Sequence, residues 1–119
     1  MNKKLKKIFD EYNITYWNGK LPIPNLVLTS KLLDTHGCYI YEKFYKKKDY
    51  VIEISLNLNM KELRETMLHE MCHHAIYLKY PKRHFNNKID LKKRVYPHGK
   101  EWKKEMRRVG FKGKIDRYT

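Results

Sequence analysis

The stretch Leu68-His69-Glu70-Met71-Cys72-His73 lies inside a run, residues 63–80, whose apolar side chains recur at steps of three and four. That period predicts a helix with one buried face. Asn59 followed by Glu62 resembles the capping box that begins a helix, and Pro81 stops the run. We expect the remainder of the fold to be organised around this helix.

Two histidines of this helix, His69 and His73, are four residues apart. Side chains at that spacing lie nearly one above the other, so both imidazoles can reach one metal ion. Zinc is the expected ion, because it binds imidazole nitrogen and a catalytic zinc site keeps one position for water. Glu70 is then placed to take a proton from that water and return it to a leaving amine. The alternative is two partly exposed histidines that share a helix face by chance.

A second segment offers the third metal ligand. Met106 and Val109 follow Trp102 at helical steps, which predicts a final helix, and Gly110 is well placed to end it in a left-handed conformation. His98 stands just before this helix. A helix that begins near the metal helix can aim its first imidazole at the same ion, so we predict His98 as the third ligand.

The first half of the chain is predicted to cover the metal helix. A helical stripe over residues 5–16 ends at Asn18-Gly19, and residues 82–96 lack a period and are expected to form a loop. The expected strands are residues 25–30, 38–45 and 50–56. The last two, joined by residues 46–49, are predicted to form an antiparallel hairpin. The predicted class is α+β, with an N-terminal helix, a small antiparallel sheet of about three strands, the HExxH helix and a C-terminal helix.

Length and composition indicate the kind of protein. With 119 residues, 41% of them hydrophobic, the chain is expected to form a single domain over residues 1–119. No apolar run approaches the roughly 20 residues of a membrane span, and residues 1–7 lack a signal peptide's apolar stretch. Cys38 and Cys72 form no Cys-x-x-Cys pair, so we expect free thiols. We therefore expect a monomeric cytoplasmic protein with no membrane partner.

Positive charge is concentrated in the second half of the chain. The formal net charge is +14; residues 79–119 hold 15 basic and 4 acidic residues, a net +11, and residues 1–78 carry +3. Such a segment beside a cleft predicts an anionic partner, most commonly nucleic acid, and interleaved aromatics favour single-stranded or distorted DNA. The alternative is a solvated face without a partner. The residues expected to contact DNA are Lys79, Lys82, Arg83, Lys88, Lys92, Lys93, Arg94, Lys103, Lys104, Arg107 and Arg108.

Together these motifs resemble the SprT-like domain of zinc metalloproteases, the family that includes Spartan, which digests proteins crosslinked to DNA. Residues 68–73 look like the family's active-site helix, and His98-Gly99-Lys100-Glu101-Trp102 looks like its second motif, His-Gly-x-x-aromatic. Residues 9–21 look like its opening helix and turn, and residues 37–39 with 52–55 look like its strand pair. The resemblance implies a minimal zincin-like protease core. It implies one zinc ion held by His69, His73 and His98, with Glu70 as the catalytic base.

Three features depart from the family pattern. His74 stands where the family usually has a small residue. It could orient Glu70 or compete weakly for the metal, and we expect a role behind the ligands or toward solvent. The segment between His73 and His98 is longer than in Spartan-like members, which leaves His84 as a rival third ligand. No zinc ribbon or separate DNA-binding domain follows in this sequence, so any DNA affinity is expected from the domain's own surface.

The predicted function is a zinc-dependent endopeptidase that acts on DNA-bound or DNA-crosslinked proteins, with Glu70 activating a zinc-bound water. The alternative is a nucleic-acid-binding module without proteolysis, whose zinc is structural. Closed coordination by four ligands, for instance the three predicted histidines and His84, would favour that alternative. A third possibility is a protease whose basic residues serve an acidic protein or no specific partner.

Overall fold

The computed structural model describes residues 2–32, 34–41, 50–80 and 95–111. Their elements, in chain order, are α1 (Lys3–Trp17), β1 (Asn25–Thr29), β2 (Gly37–Tyr41), β3 (Tyr50–Ser55), α2 (Met60–Lys79) and α3 (Lys100–Arg108). The α+β class and this order confirm the sequence prediction. The predicted hairpin connection at residues 46–49 and residues 82–94 of the predicted loop lie outside the described residues. No helix within the described ranges is long and apolar enough to cross a membrane.

Helix α2 begins with the predicted capping box. The side chain of Asn59 accepts a hydrogen bond from the backbone N–H of Glu62 at 2.8 Å, and the Glu62 carboxylate accepts one from the N–H of Asn59 at 3.1 Å. These two bonds satisfy N–H groups that the first turn of a helix leaves without intrahelical partners. The helix ends at Lys79, two residues before Pro81, whose ring cannot continue a helix. The start and the end of α2 are therefore both encoded locally.

Helices α1 and α3 also end where the sequence predicts. Asn18 closes α1 in the left-handed region, with φ 54°, and Gly110 follows α3 with φ 80°. The N–H of Phe111 donates to the carbonyl of Met106 at 3.1 Å, and the N–H of Gly110 donates to the carbonyl of Arg107 at 3.0 Å. This pair of bonds is the Schellman motif. It turns Phe111 back onto the helix, where its side chain is buried.

The three strands form one sheet in the order β1-β3-β2. Strands β2 and β3 are antiparallel, as predicted, with Gly37 opposite Ile54. Strand β1 is parallel to β3, with Leu26 opposite Ile52, so the sheet is mixed, whereas the sequence predicted an antiparallel one. The reason is topological: the chain reverses direction twice between β1 and β3, and β3 then inserts between the two earlier strands.

Buried side chains form two clusters, one on each side of α2. The first cluster lies between α1, the sheet and α2, and includes Leu5, Phe9, Ile52, Ile54, Met67 and Met71. The second lies between α2 and α3, and includes Leu68, Cys72, Ile76, Trp102, Met106 and Phe111. Helix α2 packs against α1, β2, β3 and α3. Any group carried by α2 is therefore held by contacts from several elements.

Candidate metal centre

Three imidazole rings meet where α2 passes the beginning of α3. His69 and His73 project from α2, and His98 stands two residues before α3. One nitrogen from each ring lies within 4.8 Å of the other two, and the Nε2 atoms of His69 and His73 are 3.3 Å apart. Zinc binds imidazole nitrogen at about 2.0 to 2.1 Å, so one ion can be shared by donors this close. The three rings, called the histidine trio below, therefore fit a metal ion.

The histidine trio is partly buried. His69 is completely buried, whereas His73 and His98 are half-buried. Within the described residues, no fourth histidine, cysteine or carboxylate joins the group. Catalytic zinc sites have three protein ligands and an open fourth position, whereas structural sites have four protein ligands. His84 lies outside the described residues, so its role as a rival ligand stays a prediction.

Glu70 places a carboxylate beside the trio. The residue is completely buried, and its Oε2 atom is 3.8 Å from Nε2 of His69. Strand β2 packs against it at Gly37, where an added Cβ would stand 3.1 Å from Oε2 of Glu70 and 2.6 Å from Cγ2 of Thr66. A side chain at position 37 would therefore displace the groups around the carboxylate. Glycine lets β2 approach α2 closely enough to help fix the position of Glu70.

Trp102 contacts all three rings of the trio. The centroid of its indole is 4.7 Å from that of His69, 5.0 Å from that of His73 and 4.6 Å from that of His98. Its Nε1–H donates to the backbone carbonyl of His69 at 3.4 Å, and the side chain is completely buried. The sequence placed Trp102 on the final helix, as the aromatic residue of the second motif, and indicated no contact with the metal ligands. Its place four residues after His98, at the start of a helix, was the available signal.

His74 points away from the trio and joins three parts of the fold. Its Nε2–H donates to the carbonyl of Pro22 at 2.7 Å, and its Nδ1 accepts from the hydroxyl of Tyr39 at 2.7 Å; the tautomer is assigned from these two partners. Burial lowers the pKa of His74, which favours the neutral ring that these bonds require. The side chain is completely buried, so the solvent-facing role expected from the sequence is wrong.

The two cysteines are free thiols, as predicted. Cys72 is completely buried in the cluster between α2 and α3, and burial raises the pKa of its thiol well above the ordinary range. Cys38, on β2, is partly exposed, and its thiol pKa is also raised, mainly by burial and further by the negative charge of Glu70. Both thiols are therefore poorly ionised near neutral pH, which makes them weak nucleophiles.

Five of the eleven basic residues predicted to contact DNA are described, and all five are exposed: Lys79, Lys103, Lys104, Arg107 and Arg108. The two arginines bind other parts of the fold. Arg107 donates to the carbonyl of Phe111 at 2.9 Å, and Arg108 donates to the carbonyl of Tyr16 at 2.9 Å and pairs with Glu105. The remaining predicted contacts, Lys82, Arg83, Lys88, Lys92, Lys93 and Arg94, lie outside the described residues.

Comparison with known proteins gives one match. The family model described as the SprT-like family matches residues 5–118. No curated protein and no solved structure matches the chain. The matched span includes the histidine trio and Glu70, together with all the described strands and helices except the first two residues of α1.

Proposed function

The chain belongs to the SprT-like family, whose domains are of the zinc metallopeptidase type, and from this premise we propose that it is a zinc-dependent endopeptidase. The observation that carries the proposal is the convergence of three imidazoles within 4.8 Å beside the buried carboxylate of Glu70. A purely structural site needs no carboxylate in that position, whereas hydrolysis needs a base next to the attacking water.

Each residue of the centre has a separate task in this proposal. His69, His73 and His98 hold the ion. Bound zinc supplies Lewis acidity toward the scissile carbonyl and the attacking water. Glu70 accepts a proton from the water and passes it to the leaving amine. Trp102 packs against all three imidazoles and keeps them oriented toward one point.

Strand β2 supports the binding of an extended substrate. It is an edge strand of the described sheet, and the N–H of Ser55 donates to the carbonyl of His36 at 2.8 Å. Backbone groups along an antiparallel strand alternate between facing the partner strand and facing away. With Gly37 opposite Ile54, the N–H and C=O groups of Gly37 and Tyr39 therefore point away from β3. We propose that a substrate chain adds to this edge as a further strand beside Glu70.

We further propose that the substrates are proteins bound or crosslinked to DNA. The support is electrostatic: the chain carries a formal charge of +14, and exposed lysines lie at the end of α2 and along α3. Phosphate contacts by lysine attract nucleic acid without regard to sequence. Attachment of a substrate to the same DNA raises its local concentration at the active site.

Cleavage of a DNA-bound protein by the zinc-loaded chain, with and without single-stranded DNA, tests this function. We expect Glu70→Gln to retain one zinc ion and the fold while cleavage falls by roughly 100- to 10,000-fold, the usual contribution of a general base. Glu65→Gln removes the same charge from the same helix outside the trio and is expected to cleave normally.

Equal proteolysis by the Glu70→Gln chain would contradict the assigned mechanism. The absence of cleavage in every condition, together with one tightly bound zinc ion and salt-sensitive DNA binding, would instead favour the nucleic-acid-binding module with a structural zinc. Cleavage that DNA does not stimulate would support the peptidase and contradict the DNA-bound substrate class.

A further inference from the structure

We infer that a cleft between the C-terminal half of α2 and helix α3 binds single-stranded nucleic acid. The cleft has a volume of about 400 Å³, and residues of both helices line it. This cleft would provide the DNA contact of the proposed function. The choice of DNA as the ligand rests on that proposed function. Single-stranded DNA is favoured over other anions by the charges, the aromatic ring and the position of the cleft.

Three lysines give the cleft its charge. Lys79 lies at the end of α2, and Lys100 and Lys104 lie one turn apart on α3. All three are exposed, and none forms an ion pair with another residue of the described ranges. Side chains four apart on a helix are about 5 to 6 Å from each other, so Lys100 and Lys104 can contact successive phosphates of one strand.

The acidic side chains of the cleft do not cancel these charges. Glu105 is paired with Arg108 and also accepts a hydrogen bond from Nε1–H of Trp17 at 3.2 Å, so its negative charge is already compensated. Glu101 is half-buried and offsets one positive charge. The three lysines therefore leave the cleft with a net positive charge.

An aromatic ring beside the lysines distinguishes nucleic acid from an acidic polypeptide. Tyr80 and Ile76 form the apolar part of the lining, and Nζ of Lys79 is 5.5 Å from the centroid of the Tyr80 ring. A base can stack on such a ring while lysines contact the adjoining phosphates, which is how single strands are bound without sequence preference. A duplex keeps its bases inside its own stack, and an acidic peptide has no base to place on Tyr80.

The cleft lies on the same two helices that position the histidine trio, further along α2. His69, His73 and Ile76 follow one another along one side of α2 at steps of four and three residues, and Tyr80, which caps the helix, comes four residues later. Tyr80 is seven residues beyond His73, about 10 Å along the helix axis. Lys100 follows His98 by two residues. A strand in this cleft would therefore bring a polypeptide attached to a nearby nucleotide within reach of Glu70.

Fluorescence anisotropy of a labelled oligodeoxythymidine 15-mer, titrated with the zinc-loaded Glu70→Gln chain, tests this site. We expect the double variant Lys100→Gln/Lys104→Gln to bind at least tenfold more weakly. The slope of log K against log salt should become less steep by about 1.4, or about 0.7 for each lost contact. The matched control, Lys3→Gln/Lys7→Gln, removes the same charge from exposed positions of α1 and should change the affinity less than twofold. Tyr80→Leu should weaken binding about tenfold, whereas Tyr80→Phe should retain it.

Equal losses of affinity in the two double variants would contradict the site and indicate a diffuse electrostatic attraction. Equal affinity for a duplex of the same length, or displacement of the oligonucleotide by polyglutamate as readily as by unlabelled single strand, would also overturn it, as would the absence of binding. The two proposals fail separately. A wild-type chain that binds the strand but cuts no protein contradicts only the peptidase. One that cuts a free peptide but binds no strand contradicts this cleft and the DNA-bound substrate class, and leaves the peptidase standing.

Discussion

The indole of Trp102 lies nearly parallel to the imidazole of His73, with ring centroids 5.0 Å apart and planes inclined by 13°. The same indole meets the ring of His69 close to edge-on, with an interplanar angle of 64°. One side chain thus packs against two predicted metal ligands, with one imidazole nearly parallel to it and the other steeply inclined. An ion bound by these histidines would lie close to a natural fluorophore.

Cobalt binding is therefore expected to quench the fluorescence of Trp102. The chain has two tryptophans, so Trp17→Phe leaves Trp102 as the only indole. Adding Co²⁺, which accepts imidazole ligands as zinc does, should quench its emission and saturate at one equivalent. The reciprocal variant, Trp102→Phe, retains Trp17 as the control and should be quenched much less. Equal quenching of both variants would contradict an ion in contact with the trio.

Removal of His98 and of His84, one at a time, should show which of the two histidines is the third metal ligand. We expect His98→Ala to weaken zinc binding by more than about 100-fold, since even the outer partners of metal ligands are worth about 10- to 100-fold. His84→Ala should leave the affinity unchanged, as should His36→Ala. Competition with a chromophoric chelator measures all three. If His84→Ala lost as much affinity as His98→Ala, a four-ligand structural site would be the better assignment.

A methyl group added at Gly37 should strain the packing around Glu70. Gly37→Ala is expected to destabilise the fold by about 1 to 3 kcal/mol, the usual cost of overpacking, because the new Cβ would lie 2.6 Å from Cγ2 of Thr66. Thr66→Ser removes that methyl and keeps the hydroxyl, so the double variant should recover part of the loss. Urea unfolding at fixed zinc concentration gives the coupling energy. If the losses in free energy of unfolding from the two substitutions were additive, the contact between position 37 and Thr66 would not be the cause of the destabilisation.

The hydrogen bond from Tyr39 to His74 should contribute measurably to stability. Tyr39→Phe leaves Nδ1 of a completely buried imidazole without its donor, and we expect a loss of about 1 kcal/mol. Tyr50→Phe is the matched control, because its ring also contacts His74, with centroids 5.1 Å apart, but its hydroxyl makes no hydrogen bond among the described residues. Thermal unfolding of both variants distinguishes the bond from ring packing. Equal shifts would assign the effect to packing alone.

The features that the sequence predicted correctly are those with local signals. Helix α2 was recognisable from its apolar period and from Asn59 and Glu62, which satisfy each other's backbone N–H groups within one turn. The end of α3 was recognisable from Gly110, because its left-handed conformation suits glycine. In both cases the residues that determine the structure lie within a few positions of each other.

The features that the sequence did not predict depend on distant parts of the chain. The partners of His74 are Tyr39 and Pro22, 35 and 52 residues away, so no neighbouring residue indicated that this histidine is buried. The contact of Trp102 with the trio depends on how α3 packs across α2. The parallel pairing of β1 depends on strand order, which the alternation of apolar residues within one strand does not determine.

The strand order also affects how the sheet can assemble while the chain is being made. Strands β1 and β2 both pair with β3, which is synthesised after them, so neither has its neighbour when it leaves the ribosome. A parallel partner more than twenty residues away must also wait for the intervening loop to close. The sheet can therefore form only after its middle strand has been synthesised. Gly37 has no strand partner before then, so the wall beside Glu70 cannot precede β3.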